Sequence, residues 1–313
     1  MKARPILTLL LLATVFPELF TGSTSLLAFL NPGMFLWLLI GYGLAVLLAR
    51  ELVVRCGGGL LAMFLVGLAY GILNEGLLAK TVLLDQHLPV SQYDRYGFYF
   101  GISFPWLAGI SVWHAAASMM FPILFTHFWY PQRATGAWLK GWLTLLLTGL
   151  LLALACLSFL GPGANGKGSP NQLIILLGLM SGLGLAGALT HGIILSEATR
   201  SKVKLLLIGV SVLAPFRALE LVARVKAPIA VYFATLLGFV VCYHQILRRN
   251  HGLKFPGILF FAVGWYLQNA LQAGLVIALM GNLGLSLGTL FVDALVLFLL
   301  WRGINRDRPL LLL

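Results

Sequence analysis

Long apolar stretches separated by short polar connections make up most of this chain. Ten stretches approach or exceed the length that a helix needs to cross the hydrocarbon core of a bilayer. They cover residues 6–20, 33–54, 59–84, 98–128, 142–160, 172–196, 205–222, 227–247, 255–280 and 283–301. The pattern predicts an all-α fold, a polytopic integral membrane bundle of about ten transmembrane helices.

The polar connections are too short to hold a soluble domain. The longest of them cover residues 85–97 and 161–171, so residues 1–313 are predicted to form a single transmembrane domain. The second connection contains GPGANGKGSP, a Gly/Pro-rich loop typical of a flexible hinge. It divides the chain into halves 1–160 and 172–313, which would run inverted relative to one another, as in many small transporters.

Basic residues alternate between the two sets of connections and indicate the orientation. Counting from the N-terminus, one set carries fifteen Lys and Arg residues when Arg50, at the end of span 33–54, is counted with the connection that follows it, and the other carries four. Because basic residues collect on the cytoplasmic side, both termini are predicted to be cytoplasmic. The net charge of +12 follows mostly from this asymmetry, so it requires no nucleic acid. We expect this cytoplasmic collar to attract anionic lipid headgroups.

One carboxylate stands out because it lies inside a predicted span. The composition, with 60% hydrophobic and 10% charged residues, excludes an ordinary soluble domain. In that setting Glu75 lies in LLAMFLVGLAYGILNEGLLAKTVLL, where a charged group costs roughly 2.5 to 3.5 kcal/mol near the bilayer centre. Gly67 and Gly71 share its helix face, so Glu75 is predicted to point into the bundle. The alternative is a carboxylate that pairs with a basic residue of another helix and only fixes helix orientation.

A histidine in the following span is predicted to lie beside Glu75. His114 is near the middle of span 98–128, next to a stripe of small residues, and consecutive helices with short connections are usually neighbours. A Glu–His pair is a minimal general-base or metal-binding unit. This span is long for a single crossing, and Pro105 and Pro122 are predicted kink sites.

Further polar residues recur at helical spacing in the later spans and predict a hydrated cavity that opens outward. Taken singly, each amide is more typical of an interhelical hydrogen bond. The candidate substrate-binding residues are Lys80, Arg217, Gln268, Asn269, Gln272 and Asp293.

Two segments carry a resemblance to known families. GILNEGLLAKT, followed by a helix with VWHAAAS, resembles the CAAX-type intramembrane endoprotease superfamily, although Asn74 replaces the first glutamate of its Glu-Glu motif. The resemblance implies that Glu75 is the water-activating glutamate, Lys80 the downstream basic residue, and His114 and His191 the two histidines. FPELFTGSTSLLAFLNP with GLAYGILNEGLLAKT also resembles a family of uncharacterised prokaryotic multi-span membrane proteins. This resemblance implies a location in a prokaryotic plasma membrane.

Two functional hypotheses follow, from different classes. The first is a membrane-embedded hydrolase of a lipidic or peptide substrate, with Glu75 as general base, His114 as its partner and Asn74 as an oxyanion or orienting group. A divalent metal would be held by Glu75, His114 and His191, but the predicted depth of His191 separates it from the pair. The second is a small-solute or proton-coupled transporter. A non-catalytic subunit of a membrane complex is the third alternative.

Overall fold

The computed structural model describes residues 3–19, 23–84, 95–163, 165–190 and 213–249, and these are mostly helical. In chain order the helices are α1 (Ala3–Leu19), α2 (Leu26–Phe29), α3 (Pro32–Arg55), α4 (Leu60–Leu78), α5 (Phe104–Trp113, His114–Met120 and Phe121–Trp129, continuous), α6 (Gly141–Leu160), α7 (Pro170–Leu189), α8 (Leu213–Arg224) and α9 (Ile229–Arg249). A short hairpin joins β1 (Phe98–Tyr99) to β2 (Ile102–Ser103), with Phe98 opposite Ser103.

Five of these helices, α3 to α7, are long and apolar enough to cross a membrane. They confirm a helical, multi-span architecture. Helix α1 matches predicted span 6–20, and α8 and α9 overlap spans 205–222 and 227–247. Predicted spans 255–280 and 283–301 lie outside the described residues.

Helix α4 is at the centre of the described bundle. It packs against α3, α5 and α7, and its C-terminal end also meets α6. One large core of buried Leu, Val, Met and aromatic side chains runs through α1, α3, α4 and α5. By contrast, α6 and α7 each bury only one of their Leu and Ile side chains, Leu151 and Leu176, as expected of helices at the edge of a bundle.

Small residues bring α4 and α5 into direct backbone contact. A Cβ added to Gly67 would lie 2.7 Å from Cα of Ala115, and one added to Gly71 would lie 2.5 Å from Cα of Ser111. Side chains larger than hydrogen therefore do not fit at either glycine. The predicted face of Gly67, Gly71 and Glu75 is confirmed as the surface of α4 that meets α5.

Three of the spanning helices contain a π-helical turn, in which the backbone hydrogen bonds skip one extra residue. The turns are Leu39–Leu44 in α3, Ile72–Leu78 at the end of α4, and His114–Met120 in α5. Such turns are rare, and they occur frequently at functional sites because they redirect side chains and free backbone groups.

The third predicted span is shorter than the sequence pattern indicates. Its helix ends at Leu78, and Lys80 adopts a left-handed conformation with φ of 59° before the short 3₁₀ turn Thr81–Leu83. A left-handed residue is a common helix terminator, although glycine is the usual choice. The Lys80 ammonium donates to three carbonyl oxygens around the end of α6, those of Ser158, Gly161 and Gly166, at 2.8–3.1 Å. These bonds offset the cost of the left-handed backbone at Lys80.

The predicted kink at Pro105 is wrong. Residues 98–103 form the hairpin rather than helix, so the helix begins at Phe104 and Pro105 lies in its first turn. Proline is favoured there because the first-turn N–H groups have no partner within the helix. Pro122 lies inside the continuous helix, directly after the π turn His114–Met120.

Candidate functional site

The three π turns converge and bring their polar side chains together. Tyr42 comes from the turn in α3, Glu75 from the turn in α4, and His114 from the turn in α5. All three residues are buried. The turns in α3 and α4 touch one another, and the turn in α5 packs against α4.

Glu75 and His114 form the central contact. His114 Nε2 lies 2.8 Å from Glu75 Oε1, and the exposed fractions of the two side chains are 1% for the histidine and 11% for the glutamate. The predicted proximity of this pair is confirmed. At such burial the interaction is screened by water far less than a surface ion pair.

Hydrogen bonds extend from both ends of this pair. His114 Nδ1 lies 2.8 Å from the hydroxyl of Ser118, which is four residues, or about one helical turn, further along α5. On the other side, the Thr81 hydroxyl makes a short hydrogen bond to Glu75 Oε2, and the Trp106 indole N–H donates to the Thr81 oxygen at 2.9 Å. We call these five residues, Glu75, His114, Ser118, Thr81 and Trp106, the Glu75 site.

A packed group of aromatic rings supports His114. The ring centroids of Tyr42 and Tyr70 lie 5.8 and 5.7 Å from that of His114, and 6.4 Å from one another. The Tyr70 hydroxyl donates to the carbonyl of Gly41 and accepts from the Asn74 amide. The structure therefore places the Asn74 side chain on the tyrosine that holds the histidine in position.

A second buried carboxylate lies near the same rings. Glu18, close to the end of α1, accepts a short hydrogen bond from Thr24 and is also hydrogen-bonded to the hydroxyl of Tyr42. Both Glu18 and Glu75 are within electrostatic reach of Tyr42 and Tyr70. Two carboxylates thus flank one buried aromatic group.

A separate buried ion network holds the other end of α3 and α5. Arg50 is fully buried, donates to Glu51 at 2.8 Å and to His127 Nε2 at 3.2 Å, and stacks on Trp138 with 3.7 Å between guanidinium carbon and ring centroid. Its remaining amino group donates to two backbone carbonyls of the loop after α5, those of Arg133 and Ala134.

The carboxylate of this network is equally well bonded. Glu51 accepts from Arg50, from Arg55, and from the backbone N–H groups of Trp138 and Leu139. We call Arg50, Glu51, Arg55, His127 and Trp138 the Arg50 clamp. It joins the C-terminal end of α3, which the sequence predicts to be cytoplasmic, to the loop between α5 and α6.

No metal-binding group of three or more His, Cys, Asp and Glu side chains occurs in the part of the chain that the structure describes. Glu75 and His114 would supply two ligands, and the third predicted ligand, His191, lies outside the described residues.

The family comparison agrees with this architecture. A family model for an uncharacterised membrane protein family matches residues 7–304. The chain belongs to this family. The match spans both the Glu75 site and the Arg50 clamp, and together with the five apolar helices it indicates an integral membrane protein. No curated protein and no solved structure matches the chain. None of these comparisons supports the resemblance to CAAX-type proteases.

The two predicted substrate-binding residues that the structure describes, Lys80 and Arg217, lie in different parts of the fold. Lys80 caps the end of α6 through its three carbonyl acceptors. Arg217 lies on α8, whose Leu219 belongs to a small buried cluster that packs against Trp106. The other four predicted residues, Gln268, Asn269, Gln272 and Asp293, lie outside the described residues.

Several residues of the Glu75 site and of the Arg50 clamp were not predicted from the sequence. Ser118 carried a usable signal, because it follows His114 by four residues and therefore shares its helix face. Glu51 carried a similar signal, because it lies inside predicted span 33–54 and four residues before Arg55, on the same helix face. Thr81 carried none, since it follows the helix end and no periodicity relates it to Glu75.

Proposed function

We propose that this protein is a membrane-embedded hydrolase in which Glu75 and His114 form the acid–base pair. The observation that carries the proposal is the 2.8 Å contact between the buried imidazole and carboxylate. Glu75 would take a proton from a water molecule that attacks a carbonyl carbon, and would return that proton to the leaving group. His114 would stabilise the carboxylate and share the proton during the reaction.

The location of the site supports a substrate that enters from the lipid. Glu75 and His114 lie among apolar helices, where water is scarce and preorganised hydrogen bonds stabilise developing charge more than they do in water. A lipidic molecule or a lipid-anchored peptide has an apolar part that can reach such a site. Both substrate classes therefore belong to the proposal.

A hydrolysis assay in proteoliposomes tests this function. The substrates are a bacterial lipid extract and a set of lipid-anchored peptides, and the products are followed by mass spectrometry. The purified protein should release product, and Glu75→Gln and His114→Asn should each lower the rate about 10²–10⁴-fold, the usual contribution of general acid–base catalysis. Ser111→Ala is the control, since Ser111 is buried on α5 against Gly71 and its hydroxyl has no hydrogen-bond partner among the described residues. Absence of product with the unchanged protein, or equal rates in Glu75→Gln, would remove the proposal.

A second candidate, proton-coupled transport of a small solute, is favoured by the second carboxylate. Glu18 and Glu75 flank the same tyrosines, so two protonatable groups lie in one buried region. In this alternative the two carboxylates carry protons, while Gln268, Asn269, Gln272 and Asp293 contribute to the solute site. Proteoliposomes containing a pH-sensitive dye should then show solute-dependent proton movement that is lost in both Glu18→Gln and Glu75→Gln.

We also propose the full topology of about ten spans with both termini in the cytoplasm of a prokaryotic plasma membrane. The basic residues support it, as does the position of the Arg50 clamp at the end of α3 that this topology makes cytoplasmic. After replacement of the three native cysteines, Lys167→Cys should be labelled from outside the cell and Thr135→Cys should not. In this orientation Arg133 and Lys140 belong to the collar that attracts anionic lipids.

A further inference from the structure

The hydrogen bonds of the Glu75 site form one continuous chain with a fixed end. The indole N–H of Trp106 can only donate, because the ring nitrogen has no free lone pair. The Thr81 oxygen, 2.9 Å away, therefore accepts, and the single hydroxyl proton of Thr81 is directed at Glu75 Oε2. Oε2 of Glu75 is thus a hydrogen-bond acceptor.

With Glu75 ionised and His114 neutral, the direction of each remaining bond is fixed. A carboxylate that accepts at Oε2 and stays ionised also accepts at Oε1, so the facing nitrogen, Nε2 of His114, carries a proton. In a neutral imidazole the other nitrogen is then an acceptor. Nδ1 of His114 faces the Ser118 hydroxyl at 2.8 Å, and that hydroxyl supplies the proton that Nδ1 needs.

We infer that Thr81 and Ser118 are positioning residues that hold the pair in one protonation arrangement, with Glu75 ionised and His114 neutral as its Nε2–H tautomer. The inference rests on the proposed function, to which it adds that Glu75 is held in the form that a general base requires. Ser118 is fully buried, and we assign it the orientation of the histidine rather than attack on a substrate.

Thr81 has the additional property of being only partly buried, as has Trp106. The 3₁₀ turn that carries Thr81 begins directly after Lys80, whose ammonium is tied to the carbonyls at the end of α6. The hydroxyl is therefore held at the less buried side of Glu75 by a capped turn.

Nitrogen-15 NMR of the histidine rings tests the arrangement without a substrate. The full-length protein is labelled with ¹⁵N-histidine and reconstituted in lipid nanodiscs, where protonated and unprotonated ring nitrogens give separate shifts. The chain has six histidines, and the His114 signals are those lost in His114→Gln. We expect a protonated Nε2 and an unprotonated Nδ1. An imidazolium, or the tautomer with its proton on Nδ1, would overturn the inference.

Matched variants separate positioning from packing. Ser118→Ala should shift the Nδ1 resonance and introduce the second tautomer, whereas Ser111→Ala, on the same helix but against Gly71, should leave both nitrogens unchanged. Thr81→Val should produce the infrared band of a protonated carboxyl group, identified by its absence in the Thr81→Val/Glu75→Gln double variant. Thr81→Ser, which keeps the hydroxyl, should restore the unchanged spectrum. Identical spectra for Ser118→Ala and the unchanged protein would also refute the assignment.

The hydrolysis assay on the same samples distinguishes this inference from the proposed function. If the predicted tautomer is present but no substrate is hydrolysed, the hydrolase proposal fails and the positioning roles stand. If hydrolysis depends on Glu75 while His114 is an imidazolium, the hydrolase proposal stands and the positioning roles fail.

Discussion

The Glu75 site and the Arg50 clamp are built from similar groups, yet they have different chemical capacities. Each contains a buried carboxylate, a histidine and a tryptophan N–H, and α5 contributes its histidine to both. In the clamp, Glu51 is bonded to guanidinium groups and backbone amides, which keep their protons at any physiological pH. In the Glu75 site the carboxylate meets an imidazole and a hydroxyl, which can exchange protons.

Burial of a carboxylate in a membrane bundle does not by itself identify a reactive site. The chemical identity of the groups bonded to the carboxylate distinguishes a reactive site from a structural one. An Arg–Glu network in which all three guanidinium nitrogens of Arg50 are bonded fixes the relative positions of helices and loops. A Glu–His–Ser arrangement instead retains a proton that can move. Along α5 the histidines of the two clusters, His114 and His127, are thirteen residues apart, about 20 Å at 1.5 Å per residue. A rigid anchor and a proton-exchanging site therefore share helix α5.

The largest expected effect comes from Glu51→Gln in the clamp. The amide leaves the buried guanidinium of Arg50 without its counter-charge and turns an NH₂ group toward one of its donors. We expect a loss of about 3–5 kcal/mol in the free energy of unfolding, as for other broken buried ion pairs. Unfolding in mixed micelles measures it. A loss below about 1 kcal/mol would mean that the clamp is not an anchor.

The contact between α4 and α5 gives the next largest effect. Gly71→Ala forces a methyl group into the backbone of Ser111, and overpacking of this kind costs about 1–3 kcal/mol. It should also lengthen the Glu75–His114 hydrogen bond, which the ¹⁵N shift of His114 reports. Gly178→Ala is the matched control, because no described atom lies within 4 Å of the added methyl group. Equal effects at both glycines would contradict the close packing.

Lys80 provides a test of the capped turn beside the Glu75 site. Lys80→Met keeps the length of the side chain and removes three hydrogen bonds from a charged donor, so we expect a loss of about 1.5–3 kcal/mol in stability. Lys167→Met is the control, since Lys167 is exposed in the same loop region. If hydrolysis falls in Lys80→Met while the melting temperature is unchanged, Lys80 acts on substrate as the sequence analysis predicted.

The smallest effect on stability is expected for Glu75→Gln, the same chemical change as in the clamp. Glutamine can still accept from Thr81 or His114, so the free energy of unfolding should change by less than about 1.5 kcal/mol. The same unfolding measurement checks it. A loss as large as that of Glu51→Gln would make Glu75 a structural carboxylate and remove the difference between the two clusters.

Local patterns in the sequence were sufficient for the helices and for one central contact. The spacing of Gly67, Gly71 and Glu75 identified the face of α4 that meets α5, because helical periodicity alone decides which residues share a face. The same reasoning brought His114 to Glu75. Arg50 was not predictable in this way: the sequence pattern counted it with the basic residues of a cytoplasmic connection, whereas the structure buries it completely inside α3.

The sequence by itself determined that this is a helical membrane protein and that Glu75 faces a neighbouring helix. Those properties depend on hydrophobicity and periodicity, which are local. Only the tertiary structure decided that Thr81 and Trp106 join Glu75, that Lys80 caps α6, and that Arg50 and Glu51 are saturated by a loop more than eighty residues away. These contacts join residues across helix ends and π turns, where the 3.6-residue period is broken and the spacing along the chain no longer predicts which side chains meet.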